Sequence, residues 1–335
     1  MSAALAAASV ADEYRVVIDG AALFDRSDVG RLRLRGEDAL DLLERLSTNA
    51  LTELAVGEGI STVLTSNKGR IIDLLFVLRE PDSLLVLTGP QTRAKVADWI
   101  EFYTIVEDVV IDDVTDETTM LSIAGASAAA LLDRVVSPGA GDTSLYRSAP
   151  VTVGDADATV MRTDFTGAPA YDIVLSASSA GSLRERLIEG GATPVGAEAL
   201  EAVRIERGVP VSGKELGEAY NPLEAGLKGI VSFTKGCYVG QEVVARLDTY
   251  DKVQKHLVGI TWDSDALPGP DARVVLDGKQ VGVVTSAVRS PRLNSSIGLG
   301  YVRKAQAAPG TILTLELEDG EVQASVAALP FVPSP

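Results

Sequence analysis

The sequence of 335 residues has one cysteine and one histidine. A single cysteine excludes a disulfide within the chain, and it excludes a Cys-x-x-Cys pair for zinc or an iron–sulfur cluster. The single histidine, His256, excludes the usual metal sites built from several imidazoles. We therefore expect no metal site formed by this chain alone, and any metal chemistry would have to borrow ligands from a partner.

Long apolar runs and basic residues are also scarce. No run of about 18 apolar residues occurs, so no membrane-spanning helix is expected. Lys and Arg total 30 against 47 Asp and Glu, and the net charge of -17 disfavours direct binding of nucleic acids or anionic membranes.

The alanine-rich residues 1–12 lack the basic segment of a signal peptide and are expected to be a frayed or weakly helical lead-in, which makes the cytoplasm the expected location. The acidity suggests a second hypothesis, adaptation to a salt-rich cytoplasm; stability and solubility that do not change between low and molar salt would contradict it.

The pattern of apolar and turn residues in the first 250 positions predicts antiparallel strands with interleaved helices. Residues 60–65 and 71–78 have the pattern of two strands joined by a turn at 66–69. A helix is predicted within residues 36–49, where leucines recur at helical spacing. This alternation predicts an α+β fold made of two mixed α/β domains with antiparallel sheets.

We place the domain limits at 14–115 and 116–250, with exchange of segments between the two domains allowed. From residue 251 to 335 the pattern changes to short strands without helices, and Asp277-Gly278 and Asp319-Gly320 supply hairpin turns. This pattern predicts a small C-terminal β-barrel or sandwich.

The only cysteine, Cys237, lies in an unusual segment. Residues 235–242 read Lys-Gly-Cys-Tyr-Val-Gly-Gln-Glu and precede a predicted helix. The Lys235 ammonium and the positive end of that helix would both favour a thiolate, which predicts a reactive sulfur. The alternative is that Cys237 fills a small buried space, as most free cysteines do.

Two carboxylates are candidates for binding a ligand. Asp73 lies alone in an apolar strand, where a buried carboxylate needs a partner or a ligand, although the segment also fits an ordinary hairpin. Glu224 lies between apolar residues in a loop fixed by Pro222 and Gly226, and could accept two parallel N–H bonds from an amidine-like edge. The alternative for Glu224 is a surface glutamate in a turn. The charges of residues 204–210 are expected to form a solvated helix face.

Taken together, several segments resemble the superfamily of the glycine cleavage T-protein and its YgfZ branch. Residues 235–242 are similar to the hallmark of YgfZ-type proteins, which include mitochondrial relatives in iron–sulfur cluster maturation. The other segments that carry the resemblance are 23–27, 36–49, 204–210 and 221–227. The resemblance implies three domains in a cloverleaf around a central channel that binds tetrahydrofolate. It also implies that Glu224 contacts the pterin. The glutamyl tail of folate is anionic and would need Lys or Arg; Lys228, Lys235 and Arg246 are candidates by their proximity alone.

The sequence also departs from the T-protein pattern. T-proteins have two adjacent aspartates after the hairpin, whereas this chain has Asp73 followed by Leu74, and Gln241 stands where arginine is usual. These departures favour a YgfZ-like role: a folate-binding protein, with Asp73 and Glu224 at the folate and with Cys237 and Lys235 as the functional pair. Its expected partners are iron–sulfur client enzymes or cluster carriers. The alternatives are a folate-dependent aminomethyltransferase and a non-catalytic folate scaffold with a structural cysteine.

Overall fold

The computed structural model of the protein describes residues 9–164 and 169–333. Within these residues, seven α-helices accompany two open sheets and one closed barrel. The helices are α1 (Val10–Asp19), α2 (Ala39–Leu46), α3 (Arg93–Tyr103), α4 (Ala128–Val135), α5 (Ala180–Glu189), α6 (Ala197–Glu206) and α7 (Gln241–Thr249). Residues 1–8 of the predicted lead-in lie outside the described residues, and the rest of it enters α1, which Ser9 caps by accepting a hydrogen bond from the Asp12 backbone N–H.

The strands follow the predicted order of elements. They are β1 (Ala22–Asp25), β2 (Gly30–Arg35), β3 (Gly59–Thr65), β4 (Ile71–Arg79), β5 (Leu84–Thr88), β6 (Val110–Asp113), β7 (Thr118–Ala124), β8 (Ser148–Val153), β9 (Ala156–Thr163), β10 (Ala170–Ser176), β11 (Thr193–Pro194), β12 (Lys255–Trp262), β13 (Ala272–Leu276), β14 (Lys279–Ser290), β15 (Ser295–Arg303), β16 (Ile312–Leu317) and β17 (Gly320–Ala327).

The first sheet has five antiparallel strands in the order β3-β4-β5-β2-β6. Its β3–β4 hairpin turns at Gly69, whose φ of 65° is a left-handed conformation that glycine adopts without strain. One face of the sheet packs against α2 and α3, because the leucines of α2 at helical spacing all point inward. Side chains alternate along β4, so its two faces meet different neighbours.

The second sheet has six strands in the order β11-β1-β7-β10-β9-β8. All its pairs are antiparallel except β1 with β11, which run parallel. Helices α4 and α5 cover one face through a core that includes Leu131, Leu183 and Tyr171. Strand β1 lies within the predicted domain 14–115, whereas the other strands of this sheet lie within 116–250. Both predicted domains therefore contribute strands to this sheet. The domain limits at residues 115 and 250 stay a prediction.

The two sheets pack against each other through their remaining faces. Leu78, Leu85 and Leu87 of the first sheet meet Met120 and Val174 of the second in a buried apolar cluster. At one end this contact opens, and polar residues replace the apolar ones. That opening is the cavity described below.

Strands β12 to β17 form the closed six-stranded barrel, in the order β12-β15-β14-β13-β16-β17. The prediction of an α+β fold with a C-terminal barrel is therefore confirmed. Among the described residues, no helix has the length and apolar character needed to cross a membrane.

The expectation of a solvated charged face on residues 204–210 was wrong for two of its members. Arg204 and Glu206 are buried where α6 meets the barrel. The Arg204 guanidinium donates to Glu215 at 3.1 Å and to Ser286 Oγ at 2.6 Å. Glu206 accepts from Tyr14 Oη at 2.5 Å and from Ser290 Oγ. These contacts fix α1 and α6 to the barrel, and pairing makes the burial of the charges tolerable.

Candidate functional site

A cavity of about 270 Å³ lies where the two sheets meet residues 209–212 and Leu216. The first sheet contributes a mainly apolar wall that includes Leu74, Phe76 and Leu87. The second sheet contributes polar groups: Arg26, Thr163, Asp164 and Asp172 line the opposite side together with Tyr146. A cavity with a mainly apolar wall and a few convergent polar groups is suited to a small ligand.

Asp73 lies behind the wall of this cavity rather than in it. Its carboxylate accepts hydrogen bonds from the backbone N–H of Leu74 and of Gly89, at 2.9 and 2.8 Å, and from Thr92 Oγ1 at 2.5 Å. It also accepts from Ser212 Oγ. Burial raises the pKa of Asp73, and these four donors oppose that shift. The carboxylate thus fastens two cavity-lining residues, Gly89 and Ser212, and this geometry does not support a direct contact between Asp73 and a cofactor.

Leu74 occupies the cavity-facing position instead. Because successive strand residues point to opposite faces, Asp73 faces α3 while Leu74 faces the cavity. The place where T-proteins were expected to have their second aspartate therefore presents an apolar side chain here.

Glu224 is buried close to the apolar cluster that contains Leu74 and Leu216, but it does not line the cavity. Its Oε2 accepts from the Asn221 backbone N–H at 3.1 Å, and the Arg70 guanidinium lies 3.4 Å away. Both contacts fall on Oε2, and Oε1 accepts no hydrogen bond within residues 9–164 and 169–333. Glu224 keeps one oxygen available, whereas the half-exposed Arg70 already neutralises its charge.

Asp172 is a cavity residue that the sequence argument missed. It lies on β10 and is almost fully buried, at 2% exposure. Ser122 Oγ donates to its Oδ1, and the Arg26 guanidinium lies 3.4 Å from the same oxygen. Burial raises the pKa of Asp172, while Arg26 and the two neighbouring hydroxyls oppose the rise. A lone aspartate in the apolar run of residues 170–175 is the same signal that singled out Asp73, so the sequence did contain a way to find it.

The segment around Cys237 is fixed at both of its ends. On the C-terminal side, the Val239 backbone N–H donates to the Arg45 carbonyl at 2.9 Å, and Thr65 Oγ1 donates to the Val239 carbonyl at 2.6 Å. Gly240 then packs on the turn of the β3–β4 hairpin. Cys237 itself is exposed, so it does not fill a buried space. It does not line the cavity either.

Lys235 fixes the N-terminal side of the same segment. Its Nζ donates to three backbone carbonyls, those of Glu44, Ser47 and Asn49, at 2.6, 2.8 and 2.7 Å. The Glu44 carboxylate lies 3.3 Å away, and the Lys235 side chain is only 2% exposed. Burial lowers the pKa of Lys235, and Glu44 opposes that change. This geometry does not support the prediction that the ammonium activates the Cys237 thiol, because all three N–H donors are used elsewhere.

The two other predicted cations lie on the surface near α7. Lys228 pairs with Asp248 at 2.5 Å and is largely exposed. Arg246 is also exposed, and its guanidinium makes no ion pair or hydrogen bond with any described residue. In the part of the chain that the structure describes, no group of three or more His, Cys, Asp and Glu side chains is arranged to hold a metal ion.

Comparison with known proteins identifies the family to which the chain belongs. Residues 3–235 match the model described as the GCVT N-terminal domain, and residues 255–333 match the one described as the glycine cleavage T-protein C-terminal barrel domain. The chain belongs to the glycine cleavage T-protein family. The matches do not distinguish the YgfZ branch within it.

Relatives of this T-protein family member cover almost its whole length. It is 29% identical to an aminomethyltransferase of Halothermothrix orenii, over 97% of this chain and 92% of the relative. It is 33% identical to an aminomethyltransferase of Rubrobacter xylanophilus, over 97% and 86% respectively. A putative chloroplastic transferase of Arabidopsis thaliana is 30% identical, over 89% of this chain and 68% of the relative.

The fold of a solved T-protein agrees with this assignment. The crystal structure of the glycine cleavage system aminomethyltransferase T from Bartonella henselae superposes with a TM-score of 0.89, covering 97% of this chain and 90% of that one. The identity is 22%, so this likeness establishes the fold alone.

Proposed function

We propose that this protein binds a reduced folate, tetrahydrofolate or a close derivative, and acts as a folate-dependent one-carbon transferase of the aminomethyltransferase type. The observation that carries the proposal is the cavity between the two sheets, with its apolar wall on one side and buried polar groups on the other. The names of the full-length relatives support the same reading over the iron–sulfur role favoured by the sequence argument.

The residues present fit such a ligand. Leu74, Phe76 and Leu87 offer an apolar surface to a flat ring. A carboxylate oxygen of Asp172 is an acceptor without a donor among the described residues, as a ring edge that presents N–H groups requires. When bound, a reduced folate supplies ring and side-chain nitrogens that can carry a one-carbon unit.

The anionic tail of the folate needs a cation outside the cavity. Arg246 is the candidate that needs no rearrangement, since it has no carboxylate partner among the described residues. Lys228 would first have to leave Asp248. Lys235 is not offered for this task, because its ammonium is enclosed by backbone carbonyls.

A second candidate function is the YgfZ-like one: assistance to the assembly or repair of iron–sulfur clusters in client enzymes, with cluster carriers or the clients as partners. It is favoured by the exposed thiol of Cys237, held on a fixed segment, and by Leu74 at the position where aminomethyl transfer would use a carboxylate. One thiolate cannot hold a cluster alone, since about four ligands are normal, so the thiol would act together with a partner's ligands.

Two assays separate the candidates. The first measures methylene-tetrahydrofolate formation from an aminomethyl donor by the purified protein, and the transferase proposal predicts turnover that Cys237→Ala retains. The second measures the activity of iron–sulfur enzymes in a deletion strain that carries either wild type or Cys237→Ala. Absence of turnover, together with loss of iron–sulfur enzyme activity in the Cys237→Ala strain, would replace the first candidate with the second.

A further inference from the structure

A separate cleft of about 270 Å³ lies on the barrel, where the ends of β12, β14 and β15 meet Tyr220. Its charged lining residues are Lys255 of β12 and Arg303 of β15, and no described carboxylate lines it. The cleft shares no lining residue with the cavity between the two sheets. In a chain with a net charge of -17, a cleft lined only by cations and uncharged groups favours an anionic ligand.

Lys255 and Arg303 lie directly opposite each other on paired strands. Side chains at such positions have Cβ atoms about 5 Å apart, and like charges placed there destabilise the sheet. Neither side chain forms an ion pair with a carboxylate in the part of the chain that the structure describes, and the exposed Arg303 makes no hydrogen bond there either. The two strands thus keep a repulsive pair of charges without an acid between them, and a bound anion would remove the repulsion.

A third cation lies beside Lys255. The Arg70 guanidinium and the Lys255 ammonium donate to the same acceptor, the Ala219 carbonyl oxygen, at 3.2 and 3.3 Å. Burial lowers the pKa of Lys255; the charge of Glu224 opposes this change, and that of Arg70 adds to it. Glu224 itself pairs with Arg70 at 3.4 Å. One carboxylate therefore serves three cations, which leaves an excess of positive charge at the cleft.

Two stacked tyrosines position the Lys255 ammonium. The rings of Tyr220 and Tyr301 are nearly parallel, at 8°, with their centroids 3.5 Å apart. Lys255 Nζ lies 4.2 Å from the Tyr220 centroid, within the range of a cation–π contact. The ammonium has three N–H donors, and one meets the Ala219 carbonyl; the other two have no protein acceptor within residues 9–164 and 169–333. Lys255 is therefore held at the cleft with donors available to a ligand.

We propose that this cleft binds a small oxyanion, the phosphate or carboxylate group of a small molecule, between Lys255 Nζ and the Arg303 guanidinium. Lys255 supplies a compact charge, and Arg303 supplies a planar fork that matches two oxygens of a phosphate or a carboxylate. The volume of about 270 Å³ is near the lower limit of small-molecule pockets, which favours a small anion over a polymer. The site is additional to the folate cavity and does not depend on the proposed folate function.

The test is calorimetric titration of the full chain with inorganic phosphate and, separately, with succinate, at an ionic strength held constant with sodium chloride. We expect saturable binding of at least one of these anions to wild type. Lys255→Met and Arg303→Met should each bind at least about tenfold more weakly, because each removes a charged donor. Arg273→Met is the matched control: it removes a cation of the same barrel that pairs with Glu316 outside the cleft, and it should bind like wild type. Binding of phosphate without succinate would identify a phosphate-bearing ligand, and the reverse a carboxylate.

Thermal unfolding gives a second measurement. Arg303→Met breaks no hydrogen bond or ion pair with the described residues and removes the like charge opposite Lys255, so its Tm should not fall below that of wild type. The bound anion should raise the Tm of wild type and leave that of Arg303→Met nearly unchanged. The proposal is wrong if neither anion binds wild type, or if both cleft variants bind as tightly as wild type. Should Lys255→Met not fold, Arg303→Met decides alone. Neither failure affects the folate function, which titration with tetrahydrofolate tests separately.

Discussion

Asp73 and Leu74 are neighbours on β4, but their side chains lie on opposite faces of the first sheet. Asp73 accepts four hydrogen bonds between the strand, the start of α3 and Ser212. Leu74 forms part of the cavity wall. Because successive side chains of a strand point to opposite faces, Asp73 stabilises the framework while Leu74 lines the cavity.

Replacing Asp73 with Asn should destabilise the fold. The amide would place N–H donors opposite existing donors, and we expect the free energy of unfolding to fall by about 2 kcal/mol. Urea denaturation measures this change. The exposed Asp28→Asn is the control and should stay within about 0.5 kcal/mol of wild type; an equal effect of the two substitutions would contradict the structural role of Asp73.

The pH dependence of the same variant has a definite sign. Because burial raises the native pKa of Asp73, the native state holds this proton more tightly than the unfolded chain does. The contribution of Asp73 to stability is therefore most favourable below the unfolded pKa and is lost as pH rises through the native pKa. The difference in unfolding free energy between wild type and Asp73→Asn should accordingly grow as the pH is lowered across that window.

Lys235→Met tests whether the lysine serves the framework or the thiol. Removing the ammonium leaves three carbonyls without a donor and Glu44 without a counter-charge, so the unfolding free energy should fall by about 3 kcal/mol. The rate at which iodoacetamide alkylates Cys237 in the native protein should change little. A stable variant with a strongly slowed alkylation rate would restore the activating role predicted from sequence. Lys228→Met, on an exposed ion pair, is the control and should cost less than about 1 kcal/mol.

Gly240→Ala should loosen the cysteine segment. Gly240 has a φ of 86°, and an added Cβ would lie 2.5 Å from the Ser66 carbonyl oxygen on the hairpin turn. We expect faster hydrogen exchange and proteolysis within residues 235–242, since the backbone must shift. Gly236→Ala provides the comparison, because no heavy atom of the described residues beyond its two chain neighbours lies within 4 Å of its added Cβ. Equal protection in the two variants would show that Gly240 does not anchor the segment.

The sequence predicted the elements that depend on local signals. The β3–β4 hairpin and the C-terminal barrel follow from alternating apolar residues and from turn sequences, both of which act within a few residues. It could not predict which face Asp73 would take, because that depends on how β4 pairs and on which layer covers each side.

The site was predicted less well for a related reason. Adjacency in sequence suggested that Lys235 serves Cys237, but long side chains reach partners far along the chain, here at Glu44, Ser47 and Asn49. Glu224 was singled out as an unusual carboxylate and is buried, and its contact with a pterin stays a prediction. Asp172 was overlooked even though it has the same signal as Asp73, a lone carboxylate in an apolar strand.

The most direct test of the account is whether tetrahydrofolate binds in the cavity between the two sheets. Leu74→Trp would place an indole in the cavity from its apolar wall. Leu293→Trp adds the same indole at a partly exposed position outside the cavity. Calorimetric titration should show saturable binding of tetrahydrofolate to wild type and to Leu293→Trp, and none to Leu74→Trp. Unchanged binding by a folded Leu74→Trp variant would place the folate elsewhere, and absence of binding to wild type would contradict the proposed function.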